Sequence, residues 1–184
     1  AEYLVFQSID LSQSGKTIDS MAVLGAEGTY YMSEKNIYVA TETDAWRKTK
    51  ISRYSYEKGT IKYACEKVIN GTILNQFSMD EYEGNLRFAA TTYDDNGKTT
   101  NGLYIVDSSF KTIGSVSRLA PGERIYSARF MGESVYFVTY RETDPLFLVD
   151  VSDPANPVVK DKLKIPGFSD YLHPFGENML LGIG

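Results

Sequence analysis

Apolar and polar residues alternate with a period of two along most of the chain, and clusters of Gly, Asn, Asp, Ser and Pro break the alternation at short intervals. That pattern predicts short, half-buried β-strands joined by tight turns, and no stretch keeps the 3.6-residue period of a helix. The strongest feature is a recurrence. Four segments share one plan, an aromatic-rich strand, a polar turn and an alternating apolar strand: 30–40, 77–89, 126–138 and 171–181. Their turn residues Asn36, Asn85, Ser134 and Asn178 align at spacings of 49, 49 and 44 residues. Between them lie two further predicted strands per unit. The third strands are 50–56, 103–107 and 146–151, and the fourth are 60–69, 112–116 and 158–165. Glu57-Lys58-Gly59, Asp95-Asn96-Gly97 and Ser152-Asp153-Pro154 supply turn chemistry at the breaks.

A period of 44 to 49 residues with four strands per period is that of one β-propeller blade. The predicted fold is therefore all-β, with four-stranded antiparallel blades that cannot bury both faces alone. Residues 3–10 and 16–24 read as a third and a fourth strand, and 171–181 reads as a first and a second. The chain then holds about four blades' worth of strands, about sixteen in all, within a single partial propeller domain over 1–184 that starts and ends in mid-blade. Because Gly184 stops without a turn or cap, an arc of a longer propeller is the expected arrangement, and a small closed ring is the alternative.

Composition adds detail. The 14 Tyr and 9 Phe suit pleated surfaces on which a ring packs inward and a hydroxyl reaches water. A net charge of -5 argues against a nucleic-acid partner, whose recognition needs a basic patch. Apolar runs such as Phe147-Leu148-Val149 are far too short to span a bilayer, and no charged-then-apolar leader precedes Tyr3. The single cysteine, Cys65, rules out an internal disulfide framework and reads as a small buried hydrophobe.

Four stretches carry a family resemblance: Gln76 to Tyr82, Leu119 to Phe130, Arg141 to Pro154 and Ile165 to Pro174. Together, in this order, they resemble a bacterial and archaeal family of predicted secreted proteins with a C-terminal β-propeller domain, distantly similar to WD-repeat propellers. The resemblance spans nearly the whole chain. It implies a longer parent protein and an extracytoplasmic location, secreted or at the cell surface. It implies no activity, since one fold hosts many functions.

Candidate chemistry is sparse. His173 is the only histidine, so any nucleophilic triad would have to use it, yet no Gly-x-Ser-x-Gly elbow is present. Asp80/Glu81 and Glu142/Asp144 offer carboxylate pairs of the kind a glycosidase needs, but adjacent acids on a strand point to opposite faces. Asp80 and Asp144 are instead expected to accept hydrogen bonds from backbone amides or from Arg124, Arg129 and Arg141, joining blades. Asp94-Asp95-Asn96-Gly97 lacks the spaced order of a calcium loop and reads as a hairpin turn. The expected binding residues lie in connections: Arg124 at the end of the 119–124 segment, Arg141 and Asp144 in a turn rigidified by Pro145, Trp46 in a loop where its ring is either exposed or tucked over the blade edge, and His173 at a strand end. No cofactor or metal is called for. These readings make the chain a non-catalytic binding or structural module recognising protein or polysaccharide through propeller loops. The alternatives are a glycan hydrolase or lyase acting through Asp and Glu and, more remotely, a calcium-dependent adhesin.

Overall fold

A computed structural model describes residues 2–25, 27–43, 47–94, 96–140, 144–165, 169–176 and 179–184, without the side chains of Asp144 and Ile165. The chain divides into two compact units, Ala1–Ile69 and Asn70–Gly184. Sixteen strands and two single-turn 3-10 segments account for the regular structure among the described residues.

In the first unit, β1 (Tyr3–Asp10) and β2 (Lys16–Leu24) form an antiparallel hairpin. A second sheet follows in chain order: β3 (Thr29–Met32), β4 (Asn36–Glu42), β5 (Lys48–Glu57) and β6 (Thr60–Thr72), whose last residues pass into the second unit. The two sheets meet through their apolar faces. Leu4, Phe6, Met21 and Val23 of the hairpin pack on buried Ile37, Val39, Tyr54 and Ile61. Side-chain alternation makes this possible, because every second residue of each strand points to the same face. Cys65 is half-buried on β6, so the sequence expectation of a buried thiol is corrected: most of that strand lies at the surface.

The second unit holds two full four-stranded antiparallel sheets. One is β7 (Met79–Tyr82), β8 (Asn85–Tyr93), β9 (Thr99–Val106) and β10 (Thr112–Leu119). The other is β11 (Arg124–Met131), β12 (Ser134–Tyr140), β13 (Asp144–Asp150) and β14 (Val158–Ile165). A final hairpin joins β15 (Tyr171–Phe175) to β16 (Met179–Ile183). The β7–β10 and β11–β14 sheets stack face to face over one core, in which Ala89, Leu103 and Ile105 meet Ile125, Ala128, Val135, Phe137, Phe147 and Val149. Each of the larger side chains contributes on the order of 1.5–3 kcal/mol by leaving water. Neither sheet could keep this face dry without the other.

Two details depart from the sequence expectation. β13 begins at Asp144, and Pro145 already pairs with Lys164, so these two residues, expected in the turn at 141–145, belong to the strand instead. Proline is tolerated there because it lies at the start of its strand. Ahead of the short β7, Gly71 and Thr72 pair with Thr92 and Thr91, so two segments share one edge of β8.

Three of the hairpins between third and fourth strands repeat one device. Asp10, Asp107 and Asp150 each accept a hydrogen bond from the amide two residues on, Ser12, Ser109 and Ser152, at 2.8, 2.8 and 2.9 Å. These are Asx turns, in which a carboxylate takes over the role of a turn carbonyl. The expected hairpin at Asp94 is built the same way, with its Oδ1 accepting from the amides of Asn96 and Lys98 at 2.9 and 2.8 Å. On β14, Lys160, Lys162 and Lys164 alternate along a strand that pairs on one side only, which blunts its open edge against further pairing.

Candidate functional site

Two polar assemblies in the second unit are built well enough to do more than hold turns. The first supports the connection between β10 and β11. Here the backbone turns through left-handed conformations at Arg118 (φ 61°), Ala120 (φ 44°) and Gly122 (φ 89°), which leaves several carbonyls pointing inward. Buried carbonyls need donors. Asn101, 0% exposed, supplies them: its Nδ2 lies 3.3, 3.4 and 3.2 Å from the carbonyl oxygens of Leu119, Ala120 and Glu123. Its Oδ1 accepts from Thr91 Oγ1 at 2.9 Å, and Thr91 Oγ1 accepts the amide of Ile125 at 3.1 Å. Gly122 N donates to Thr99 O at 2.7 Å, and Thr139 Oγ1 donates to Glu123 Oε2 at 2.5 Å. A surface connection is thus fastened from beneath by β8, β9 and β12. It delivers Arg124 to solvent at the start of β11. Close by, Tyr126 is 37% exposed and meets Tyr140 edge-on at 5.4 Å.

The second assembly surrounds Arg129 of β11. Its Nε donates to Leu172 O on β15 at 2.7 Å, so one end of the guanidinium is tied to the next hairpin. Its Cζ lies 4.3 Å from the ring centre of Phe77 and 4.9 Å from that of Tyr171, with the two rings 5.5 Å apart. Rings on opposite faces of the guanidinium would stand about 9 Å apart, so these two form a corner on one side of it. Arg129 Nη2 is buried and has no hydrogen-bond partner among the described residues. Tyr171 Oη lies 3.1 Å from Nδ1 of exposed His173, two residues along the same strand.

A related arrangement at Arg87 of β8 is complete. Its guanidinium, 3% exposed, donates from Nε to Asp80 Oδ2 at 3.0 Å, pairs with the same oxygen through Nη2, and donates from Nη1 to Gly132 O at 2.6 Å. Tyr82 and Phe130 lie against it, their ring centres 4.5 and 5.4 Å from Cζ. The expectation that Asp80 pairs with Arg124, Arg129 or Arg141 is therefore corrected. Asp80 and Arg87 are directly opposed in the β7–β8 register, so the partner was set by the hairpin itself.

Of the residues predicted to bind, Arg124 and His173 are both exposed, but in different places. Arg124 begins β11, five residues before Arg129, a distance of about 17 Å along a strand. His173 belongs to the Arg129 assembly through Tyr171. Asp144 pairs its backbone with Ile165 at the start of β13. Trp46 and Arg141 lie outside the described residues. Sequence reasoning missed Asn101 and Arg87. The two-residue turn at Glu83-Gly84, which brings Tyr82 opposite Asn85 and hence Asp80 opposite Arg87, was a usable signal for the second; nothing local marked the first.

The repeated four-stranded sheets and their face-to-face packing agree with comparison to known families, where residues 1–184 match the beta propeller domain. The chain belongs to that family. Two archaeal proteins, both uncharacterised, are similar to it: one from Methanocaldococcus jannaschii, 52% identical over 118 residues, and one from Archaeoglobus fulgidus, 39% identical over 158 residues. The alignments cover 63% and 86% of this propeller chain but only 19% and 24% of those proteins. No described helix is long and apolar enough to cross a membrane.

Proposed function

We propose that this propeller chain is a non-catalytic binding or structural module of a secreted or cell-surface protein, recognising protein or polysaccharide through loops at one end of its blades. The observation that carries the reading is the Asn101-anchored connection. A buried amide, two threonines and a backbone amide hold residues 119–124 in one shape, and the result is an outward-facing arginine beside a pair of tyrosines. Preorganised loops lose little entropy on binding, and Arg and Tyr are the residues that contribute most to recognition surfaces. The Asp80 carboxylate, a candidate for glycoside chemistry, is committed to Arg87, which favours binding over hydrolysis. The test is a glycan and protein array probed with the intact protein and with Arg124→Ala. A ligand whose capture falls about tenfold in the variant, with unchanged melting temperature, supports the reading. Release of shortened glycan products would replace it with the hydrolase or lyase alternative.

A further inference from the structure

Arg87 and Arg129 are held by the same kinds of neighbour, with one difference. Each has two aromatic rings beside its guanidinium and donates to a backbone carbonyl of the next hairpin, Gly132 O or Leu172 O. Arg87 also has a carboxylate, Asp80. Arg129 has none among the described residues, and its Nη2 is buried without an acceptor. A guanidinium is charged at every physiological pH, and leaving one of its donors dry and unpaired is costly. What is missing at Arg129 is what Asp80 supplies at Arg87.

We propose that Arg129, with Tyr171 beside it and His173 next to Tyr171, binds the carboxylate of a uronate residue in an acidic polysaccharide. This rests on the reading of the chain as a binding module and places a second contact away from Arg124. A single guanidinium balances a single negative charge, so a carboxylate suits it better than a doubly charged phosphate, whose excess charge would be desolvated against Phe77 and Tyr171. The Tyr171 hydroxyl and the exposed His173 imidazole supply uncharged-partner hydrogen bonds of the kind sugar hydroxyls need next to that carboxylate. β15 and β16 form a two-stranded sheet whose only buried residue is Leu172 among those described, and an acceptor that reaches Nη2 has to displace part of this hairpin from β11.

The test is calorimetric titration of the intact protein with trigalacturonate, its methyl ester and a Glu-rich peptide. Trigalacturonate should bind, with the methyl ester at least about tenfold weaker because it lacks the charge. Arg129→Gln should lose about tenfold, and Arg129→Lys should fall between, since it keeps the charge and loses the fork. His173→Ala, on an exposed side chain, should lose about threefold with unchanged melting temperature, so the site is testable even if the Arg129 variants fold poorly. Equal binding of acid and ester, no binding of trigalacturonate, preference for the peptide, or loss in Arg124→Ala with none in Arg129→Gln would each overturn the proposal. The last outcome would leave the loop-binding function standing; a protein that captures nothing on the arrays would remove both.

Discussion

Asp80 and Arg87 face each other across the β7–β8 hairpin, and the guanidinium held by that carboxylate reaches on to the carbonyl of Gly132 in the turn between β11 and β12. A cross-strand ion pair inside one blade is therefore also the link to the next. Buried pairs of this kind add little over an apolar pair of the same shape, but removing one member leaves the other charge stranded.

Asp80→Ala should accordingly destabilise the second unit by about 3 kcal/mol, because Arg87 is left buried and unpaired. Replacing both residues, Asp80→Leu with Arg87→Met, should restore most of that loss. Urea unfolding of the single and double variants measures both. A double variant no better than the single would show that the Gly132 contact carries the energy instead.

Asn101→Leu is close in volume but removes the side-chain donor of Glu123 O and one of the two donors at Leu119 O and Ala120 O, which Thr100 Oγ1 and Glu123 N also serve. A loss of about 2–3 kcal/mol is expected, accompanied by faster amide exchange in residues 119–125. Asn101→Asp should be worse still, since it sets acceptors against acceptors. Hydrogen exchange that stays unchanged across the connection would refute the anchoring role.

Backbone and hydroxyl donors at the Asx turns hold the carboxylates below their ordinary range. Asp10 and Asp107 are lowered chiefly by the side chains of Ser12 and Ser109, and Asp150 is lowered to about 2 by the Ser152 amide, with Lys160 Nζ 3.0 Å from its Oδ2. A depressed folded-state pKa means that the charged form contributes stability above the unfolded-state value near pH 4 and that this contribution disappears as pH falls toward 2. Asp150→Asn should be less stable than wild type at pH 6, and the gap should close between about pH 4 and 2. Thermal melts of the two proteins across that range give the answer; a gap independent of pH would assign the effect to geometry alone.

Gly114 lies on β10 where a Cβ would come 2.1 Å from Pro154 O and 2.9 Å from Pro157 Cδ. Both obstacles belong to the rigid turn between β13 and β14, so Gly114→Ala should cost about 1–3 kcal/mol by forcing two stacked sheets apart. Denaturant unfolding would show it, and a neutral variant would mean that the turn moves freely.

The four hairpins could be read from sequence because their causes are local. Alternation along 30–40, 77–89, 126–138 and 171–181, with a polar turn between the two arms, needs only the pleat and the turn geometry of a few adjacent residues. The site residues fared differently. Arg124 could be singled out as a candidate because it follows a Pro-Gly connection, whereas Asn101 reads in sequence as an ordinary polar strand residue. Its importance comes from a connection 18 to 22 residues further on that folds back over it.

Strand order within each sheet, turn chemistry and the alternation of faces were thus determined by the amino-acid sequence alone, since each follows from neighbours a few residues apart. Only the tertiary structure decided which face meets which, that Arg87 finds a carboxylate while Arg129 keeps a donor unpaired among the described residues, and that Tyr171 meets both Arg129 and His173. Those outcomes depend on stacking between sheets, where residues more than forty positions apart come within hydrogen-bond reach and no local rule specifies the register.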